Sequence, residues 1–188
     1  MITPGSLLAH ITRLLDQSGI PYMAVGSLAS SFHGEPRTTR DIDLVIDPTA
    51  DSLHQFVDAL PRTDFYVDAD AASEALDRRT SFNIVEIETG WKVDLMIRRD
   101  RPFSRAELNR RIAVRLLGTD TYVATAEDTI IAKLEWAREG ESERQLRDVA
   151  SILVVSGEGL DRRHLERWIG ALGLDEVWLQ AQRLVGDG

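Results

Sequence analysis

Met23-Ala-Val-Gly-Ser-Leu-Ala-Ser-Ser-Phe-His-Gly-Glu-Pro-Arg-Thr-Thr-Arg-Asp-Ile-Asp-Leu-Val-Ile46 reads as strand, glycine turn, short helix, loop, strand. Tyr22 to Val25 is an apolar run of a length that suits a buried strand. Gly26-Ser27 breaks it, Leu28 to His33 has room for about two helical turns, and Gly34 stops them. The start of that helix offers backbone N–H groups, the Ser27 hydroxyl and the positive end of a dipole, which together make a phosphate seat. The second strand runs from about Ile42 to Ile46. Side chains two apart on a strand share a face, roughly 6–7 Å apart. Asp41 and Asp43 therefore point the same way, while Ile42 and Leu44 point into the core.

Two neighbouring carboxylates repel unless an arginine, a shared proton or a divalent cation sits between them. A phosphate beside the pair adds to the conflict, and Mg²⁺ bridging phosphate and carboxylates removes it, since Mg²⁺ takes one or two carboxylates plus substrate phosphates. Asp-x-Asp alone carries no information. The chain has 18 Asp, and about two such pairs arise by chance. A second pair, Asp68-Ala-Asp70, reads as a solvated helix start before Ala71 to Leu76. The setting of Asp41 and Asp43 separates them from it: an apolar strand behind, Gly26-Ser27 before, and Arg37 and Arg40 beside.

The 188 residues make one domain, or one core with an appendage. No run of 18 apolar residues occurs, so no membrane span is expected. The N-terminus lacks the basic-then-apolar form of a signal peptide. The absence of Cys excludes disulfides and thiolate metal sites, and fits a cytoplasmic protein. A net charge of −9 argues against indiscriminate nucleic-acid binding, so an RNA substrate needs a local basic patch. Lys92 and Lys133 are the two lysines among 22 basic residues.

Around the central stretch, Ser6 to Gln17 has helical spacing, with Ser6 as the N-cap. Pro48 ends the Asp43 strand, and Thr49 or Asp51 caps a helix through Leu60. Asp64 to Val67 is a short strand. Phe82 to Ile87 alternates, Glu88-Thr-Gly90 turns, and Trp91 to Ile97 returns. In that return strand Lys92, Asp94 and Met96 share one face. Asp94 is either an edge acid facing water or Lys92, or a third carboxylate for the Asp41–Asp43 pair. Arg98 to Arg115 holds seven Arg against Asp100 and Glu107, either a solvated face or a patch for an RNA backbone or a triphosphate. It includes a helix over Ser104 to Arg111. Ile112 to Leu117 and Thr121 to Ala124 form a further hairpin. Beyond it the chain turns helical. Thr125-Ala-Glu-Asp128 is a capping box for Ala126 to Arg138. A charged loop, Glu139 to Glu143, leads to Gln145 to Val155, and Leu160 to Gly170 and Leu174 to Val185 follow. Trp168 and Trp178 are core positions. Lys133 lies on a mostly apolar helix, where a snorkelling surface lysine is one reading.

Gly26-Ser27, thirteen residues, then Asp41-Ile-Asp43-Leu44 resembles the signature of polymerase-β-type nucleotidyltransferases. His33-Gly34-x-x-Arg37-x-Thr39-x-Asp41-Ile-Asp43-Leu44 is most similar to the branch holding the AbiEii-type toxins of toxin–antitoxin systems. The resemblance implies an α+β (α/β) fold: a mixed β-sheet of five or six strands flanked by helices, then a C-terminal helical bundle. Residues 1–124 would be the nucleotidyltransferase core and 125–188 the helical region. It implies that Gly26 and Ser27 hold phosphates, and that Asp41, Asp43 and Asp94 hold one or two Mg²⁺. Arg37, Arg40 and Lys133 would neutralise a nucleoside triphosphate, and Asp148 would match an acid downstream of that lysine. A nucleoside monophosphate would pass from an NTP to an acceptor hydroxyl. In the toxin branch the acceptor is a tRNA 3′ end, and a cognate antitoxin protein is a partner. Two alternatives accompany this reading. Antibiotic nucleotidyltransferases share the signature and use small hydroxylated amines, which suits an acidic surface such as Asp64 to Asp77. A degenerate relative would only bind a nucleotide or a partner.

Overall fold

The computed structural model describes residues 2–36, 39, 41–140 and 142–186. Helix α1 (Pro4–Gln17) packs Leu7, Leu8, Ile11 and Leu15 inward. Thr3, not Ser6, is its N-cap: Pro4 takes the first helical position, and Ser6 answers Thr3 in a reciprocal capping box. Strand β1 (Tyr22–Ala24) follows, then helix α2 (Gly26–His33) and strand β2 (Asp41–Ile46). Helix α3 (Ala50–Ala59) is capped by Thr49. Beyond β3 (Phe65–Val67), helix α4 (Ala69–Arg78) starts on Asp68, whose carboxylate accepts from the amides of Asp70 and Ala71. The second Asp-x-Asp is thus a helix cap, as its sequence setting indicates.

Strands β4 (Ser81–Glu86) and β5 (Lys92–Ile97) form the expected hairpin. Helix α5 (Pro102–Arg110) and the hairpin of β6 (Ile112–Leu116) and β7 (Thr119–Val123) complete the α/β part. Helices α6 (Ala126–Gly140), α7 (Glu143–Ser156), α8 (Arg162–Leu172) and α9 (Asp175–Gly186) close the chain. The expected loop from Glu139 to Glu143 shrinks, because helix runs to Gly140 on one side and resumes at Glu143 on the other.

Among the described residues all seven extended runs join one mixed sheet, in the order β3-β4-β5-β2-β1-β7-β6. That is one or two strands more than the sequence reading counted. A parallel contact of β7 with β1 through Ala24 and Val123 joins the β6–β7 hairpin to the sheet at its edge. Strand β2 lies at the centre, antiparallel to β1 and parallel to β5. One face of the sheet, with Ile42, Leu44, Ile46, Val93 and Leu95, packs against α1 and α3 in the larger apolar cluster. A second cluster joins Phe103 of α5 to Ile130, Leu134, Val149, Ile152 and Trp168 of the C-terminal helices. Trp178 packs partly buried against it. Burial of so much aliphatic surface supplies the main stabilising force, at about 25 cal/mol per Å² of apolar area. No described helix is long and apolar enough to cross a membrane.

Candidate active site

The opposite face of the sheet carries the acids. Burial alternates along β2, with Ile42, Leu44 and Ile46 buried and Asp41, Asp43 and Val45 on the other side. This is the period of two in a strand with one face in the core. The parallel register sets Asp43 opposite Asp94 and Asp41 opposite Lys92. The Lys92 ammonium lies 2.8 Å from Asp94 Oδ1. Of the two readings of Asp94, the structure therefore shows the pairing with Lys92, on the strand beside Asp43.

Gly26 joins the acids to α2. Its φ is +59°, and a Cβ there would run into the Asp43 carboxyl, with Cγ at 2.9 Å. Only glycine allows both the left-handed backbone and this close approach. The Val25 amide donates to the Asp43 carbonyl at 3.0 Å, which locks the turn onto β2. Val25 gives α2 no side-chain cap, so the first-turn N–H groups face the cleft beside the acids. The far end of α2 is also held. His33 Nε2 bonds the Ala124 carbonyl at 2.7 Å, the Ser156 hydroxyl donates to the His33 carbonyl at 2.6 Å, and the Glu35 amide donates to Ser151 Oγ at 2.7 Å. Helix α7 thereby fixes α2.

Lys133 and Asp148 meet across α6 and α7. Lys133 Nζ donates to Asp148 Oδ2 at 2.6 Å and to Gln145 Oε1 at 2.9 Å, with both charged side chains nearly buried. Burial pushes the Asp43 carboxyl above its ordinary range, and the negative charges of Asp94 and Asp41 push the same way. A hydrogen bond from the Ser27 backbone and the charge of Lys133 act against them. The lysine is therefore close enough to be felt at the acid pair. The same negative charges raise the pKa of Lys92, its bond to Asp94 first, with Asp41 and Asp43 adding to the effect.

A cleft of about 560 Å³ lies between the sheet face and helices α5 to α7, a volume that suits a small-molecule ligand. Gly26, Ser27, Asp41, Asp43 and Lys133 line it; Asp148 stands behind Lys133, and Asp94, with Lys92, sits beside Asp43 outside the lining. Arg37 and Arg40 lie outside the described residues. Among the described residues, no three histidines or carboxylates converge tightly enough to enclose a metal by themselves. The donor chemistry nevertheless fits a divalent cation shared with phosphates. Hard oxygen ligands face one another here, and burial and the like charges of Asp94 and Asp41 together disfavour the Asp43 carboxylate.

The arginine-rich segment divides into three parts. Arg98, Arg99 and Arg101 line the cleft. Arg105 pairs with Asp100, and Arg115 with Asp120, both in solvent. Arg110 turns inward to Glu127 and Asp128, and Arg111 lies over the Tyr122 ring at 4.8 Å. It is not one continuous patch, because the seven arginines are spread over the loop before α5, α5 itself, its C-cap and β6, and point in different directions. Arg79, at the C-cap of α4, and Arg144 of α7 add to the cleft. Sequence reading also missed Glu107, Glu135 and Trp136 of the lining. Glu107 stands four residues after Phe103 and next to Leu108, a spacing that marks the buried stripe of a helix.

No protein-family profile and no curated protein matches this chain. Its fold does match solved structures. An antigenic nucleotidyltransferase-like protein from Paracoccidioides brasiliensis aligns over 94% of this chain and 90% of its own, with a TM-score of 0.55 and 15% identity. The antibiotic-resistance factor ANT(2'')-Ia aligns over 95% and 96%, with a TM-score of 0.52 and 13% identity. The lincosamide antibiotic adenylyltransferase LnuA, lincomycin-bound, aligns over 82% and 98%, with a TM-score of 0.52 and 12% identity. The chain has the nucleotidyltransferase fold. The toxin branch rests on the pattern from His33 to Leu44 alone.

Proposed function

We propose that this protein is a Mg²⁺-dependent nucleotidyltransferase that moves a nucleoside monophosphate from an NTP to an acceptor hydroxyl. The observation that carries the reading is the contact of Gly26 at the start of α2 with Asp43 of β2, on the fold shared with ANT(2'')-Ia and LnuA. It sets a helix N-terminus against a pair of carboxylates, a combination that suits a phosphate bound with a divalent cation.

In this reading the first turn of α2, with Gly26 and Ser27, receives the β- and γ-phosphates. Asp41 and Asp43 would hold Mg²⁺, with Asp94 available once Lys92 releases it. When bound, the ion would polarise the α-phosphate and draw the proton affinity of the attacking hydroxyl down. Asp94 accepts the proton of that hydroxyl. Lys133, set in place by Asp148 and Gln145, offsets charge on the departing pyrophosphate. Residues 1–124 supply the acids, and 125–188 supply the lysine and its support.

The proposed acceptor is an RNA 3′ end, a tRNA end in a toxin role with an antitoxin partner. It is favoured by the resemblance from His33 to Leu44 and by the arginines at the cleft, Arg79, Arg98, Arg99 and Arg144. A hydroxylated amine of the antibiotic type is the second reading, favoured by the acids Glu135 and Glu139 in the same lining. Purified protein with Mg²⁺ and each α-labelled NTP in turn, given total RNA or a panel of aminoglycosides and lincosamides, separates them. Label in small RNA supports the first acceptor, and label in an antibiotic supports the second. Label in neither, at any NTP, contradicts both.

A further inference from the structure

Glu107 is the most unusual side chain in the cleft. It is 6% exposed, and that residual exposure opens on the cleft it lines. Its carboxyl makes no hydrogen bond and no ion pair among the described residues, a rare state for a buried acid. The groups around it explain why. Arg101 is the nearby cation, and it spends both ends of its fork on Glu135, at 2.6 Å each, and its Nε on Ser104 Oγ at 3.0 Å. Asp128 of α6 is nearby, wholly buried and held by His164 at 2.6 Å and Arg110 at 3.2 Å. Glu107 thus faces Asp128 and Glu135, two other acids, with one cation already taken. Burial first, then Asp128, lifts its pKa to about 8 against the pull of Arg101. That favours its protonated form, an O–H donor with no acceptor within hydrogen-bond distance among the described residues.

Its position says what could receive it. Phe103 stands one helical turn before Glu107 on the same buried face of α5, and both line the cleft. An aromatic ring beside a carboxyl that already faces Asp128 and Glu135 suits a sugar or heterocycle; a phosphate there would meet only further negative charge.

We infer that Glu107 is a binding residue for the nucleoside half of the nucleotide: its carboxyl donates a hydrogen bond to an acceptor atom of the base or the ribose. This rests on the nucleotide reading of the cleft. It adds a residue that the Gly-Ser and Asp-x-Asp signature does not contain, and it makes nucleotide affinity depend on a proton.

The test is equilibrium binding of four non-hydrolysable NTP analogues, and of inorganic tripolyphosphate, each with Mg²⁺. It is run from about pH 6.5 to pH 9.5 on wild type, Glu107→Gln and Glu107→Leu. Wild-type affinity for the analogues is expected to fall about tenfold per pH unit above pH 8. Glu107→Gln, whose amide still donates, should keep the neutral-pH affinity and lose the slope. Glu107→Leu should bind about 3–10-fold more weakly at neutral pH, the scale of one hydrogen bond, and also lose the slope. Tripolyphosphate binding should be the same in all three proteins. An effect confined to one or two bases assigns the bond to the base, and an equal effect across four assigns it to the ribose. A slope that survives in Glu107→Gln, or a loss shared by tripolyphosphate, overturns the role of Glu107. Wild type that binds no analogue at any pH overturns the nucleotide site itself, a different result. Neither variant leaves a charge buried, so both should fold, which thermal melts check.

Discussion

Replacing Gly26 by alanine acts twice, and the structure separates the two effects. The first is backbone: at φ +59° an alanine is strained, by about 1–2 kcal/mol. The second is contact. The new Cβ would run into the Asp43 carboxyl, with Cγ at 2.9 Å and Cβ at 3.1 Å, where β2 leaves only side-chain rotation as relief. Gly19 supplies the control, because its φ is +64° and nothing lies within 4 Å of an added Cβ. Gly19→Ala should therefore lose about 1–2 kcal/mol in urea unfolding and keep its transferase activity. Gly26→Ala should lose more stability than Gly19→Ala and about 10–100-fold in transfer, the cost of misplacing one charged ligand group. In an Asp43→Ala background the extra stability loss should shrink, since the carboxyl is gone and only the Cβ contact at 3.1 Å remains. Equal stability losses at positions 19 and 26, with normal transfer by Gly26→Ala, would refute the contact.

Asp148→Ala leaves the Lys133 ammonium buried without its carboxylate, and a loss of about 3–5 kcal/mol in chemical denaturation is expected. A change under 1 kcal/mol would mean that the pair is wet and of little consequence. Stability should also depend on pH through Glu107. Unfolding releases its proton between its ordinary pKa of 4.5 and its folded value of about 8. Stability therefore falls as pH rises across that window, by about 1.4 kcal/mol per unit. Urea titrations at several pH values should show that slope in wild type and a shallower one in Glu107→Gln; parallel slopes would contradict it. Asp43→Asn should melt no lower than wild type at neutral pH, because burial and two acids already disfavour the Asp43 charge. A markedly lower melting temperature would mean that Asp43 is a structural anchor.

The core of the site was readable because its signals are local. Alternation along β2 assigns Asp41 and Asp43 to one face, and Gly26-Ser27 marks the turn into α2. The Asp68 pair was separable for the same reason, as it precedes a helix and no strand. All seven extended runs were readable, but their order in the sheet was not, because the β7–β1 contact joins residues about a hundred positions apart, a pairing that local pattern does not encode. Lys133 and Asp148 came only through resemblance. Their meeting depends on how α6 folds back on α7. Glu107 escaped because the segment was read by its net charge, and the burial of one acid within it is set by α5 packing on Met23 and Ala124. The same averaging made one patch out of arginines that point three ways.

The most direct test of the central claim is Mg²⁺-dependent transfer of label from an α-labelled NTP into total RNA, with wild type and Asp43→Asn measured side by side. Transfer by wild type, abolished in a folded Asp43→Asn and absent without Mg²⁺, is the expected result. Transfer by Asp43→Asn at the wild-type rate, or at an undiminished rate in chelator, would contradict it.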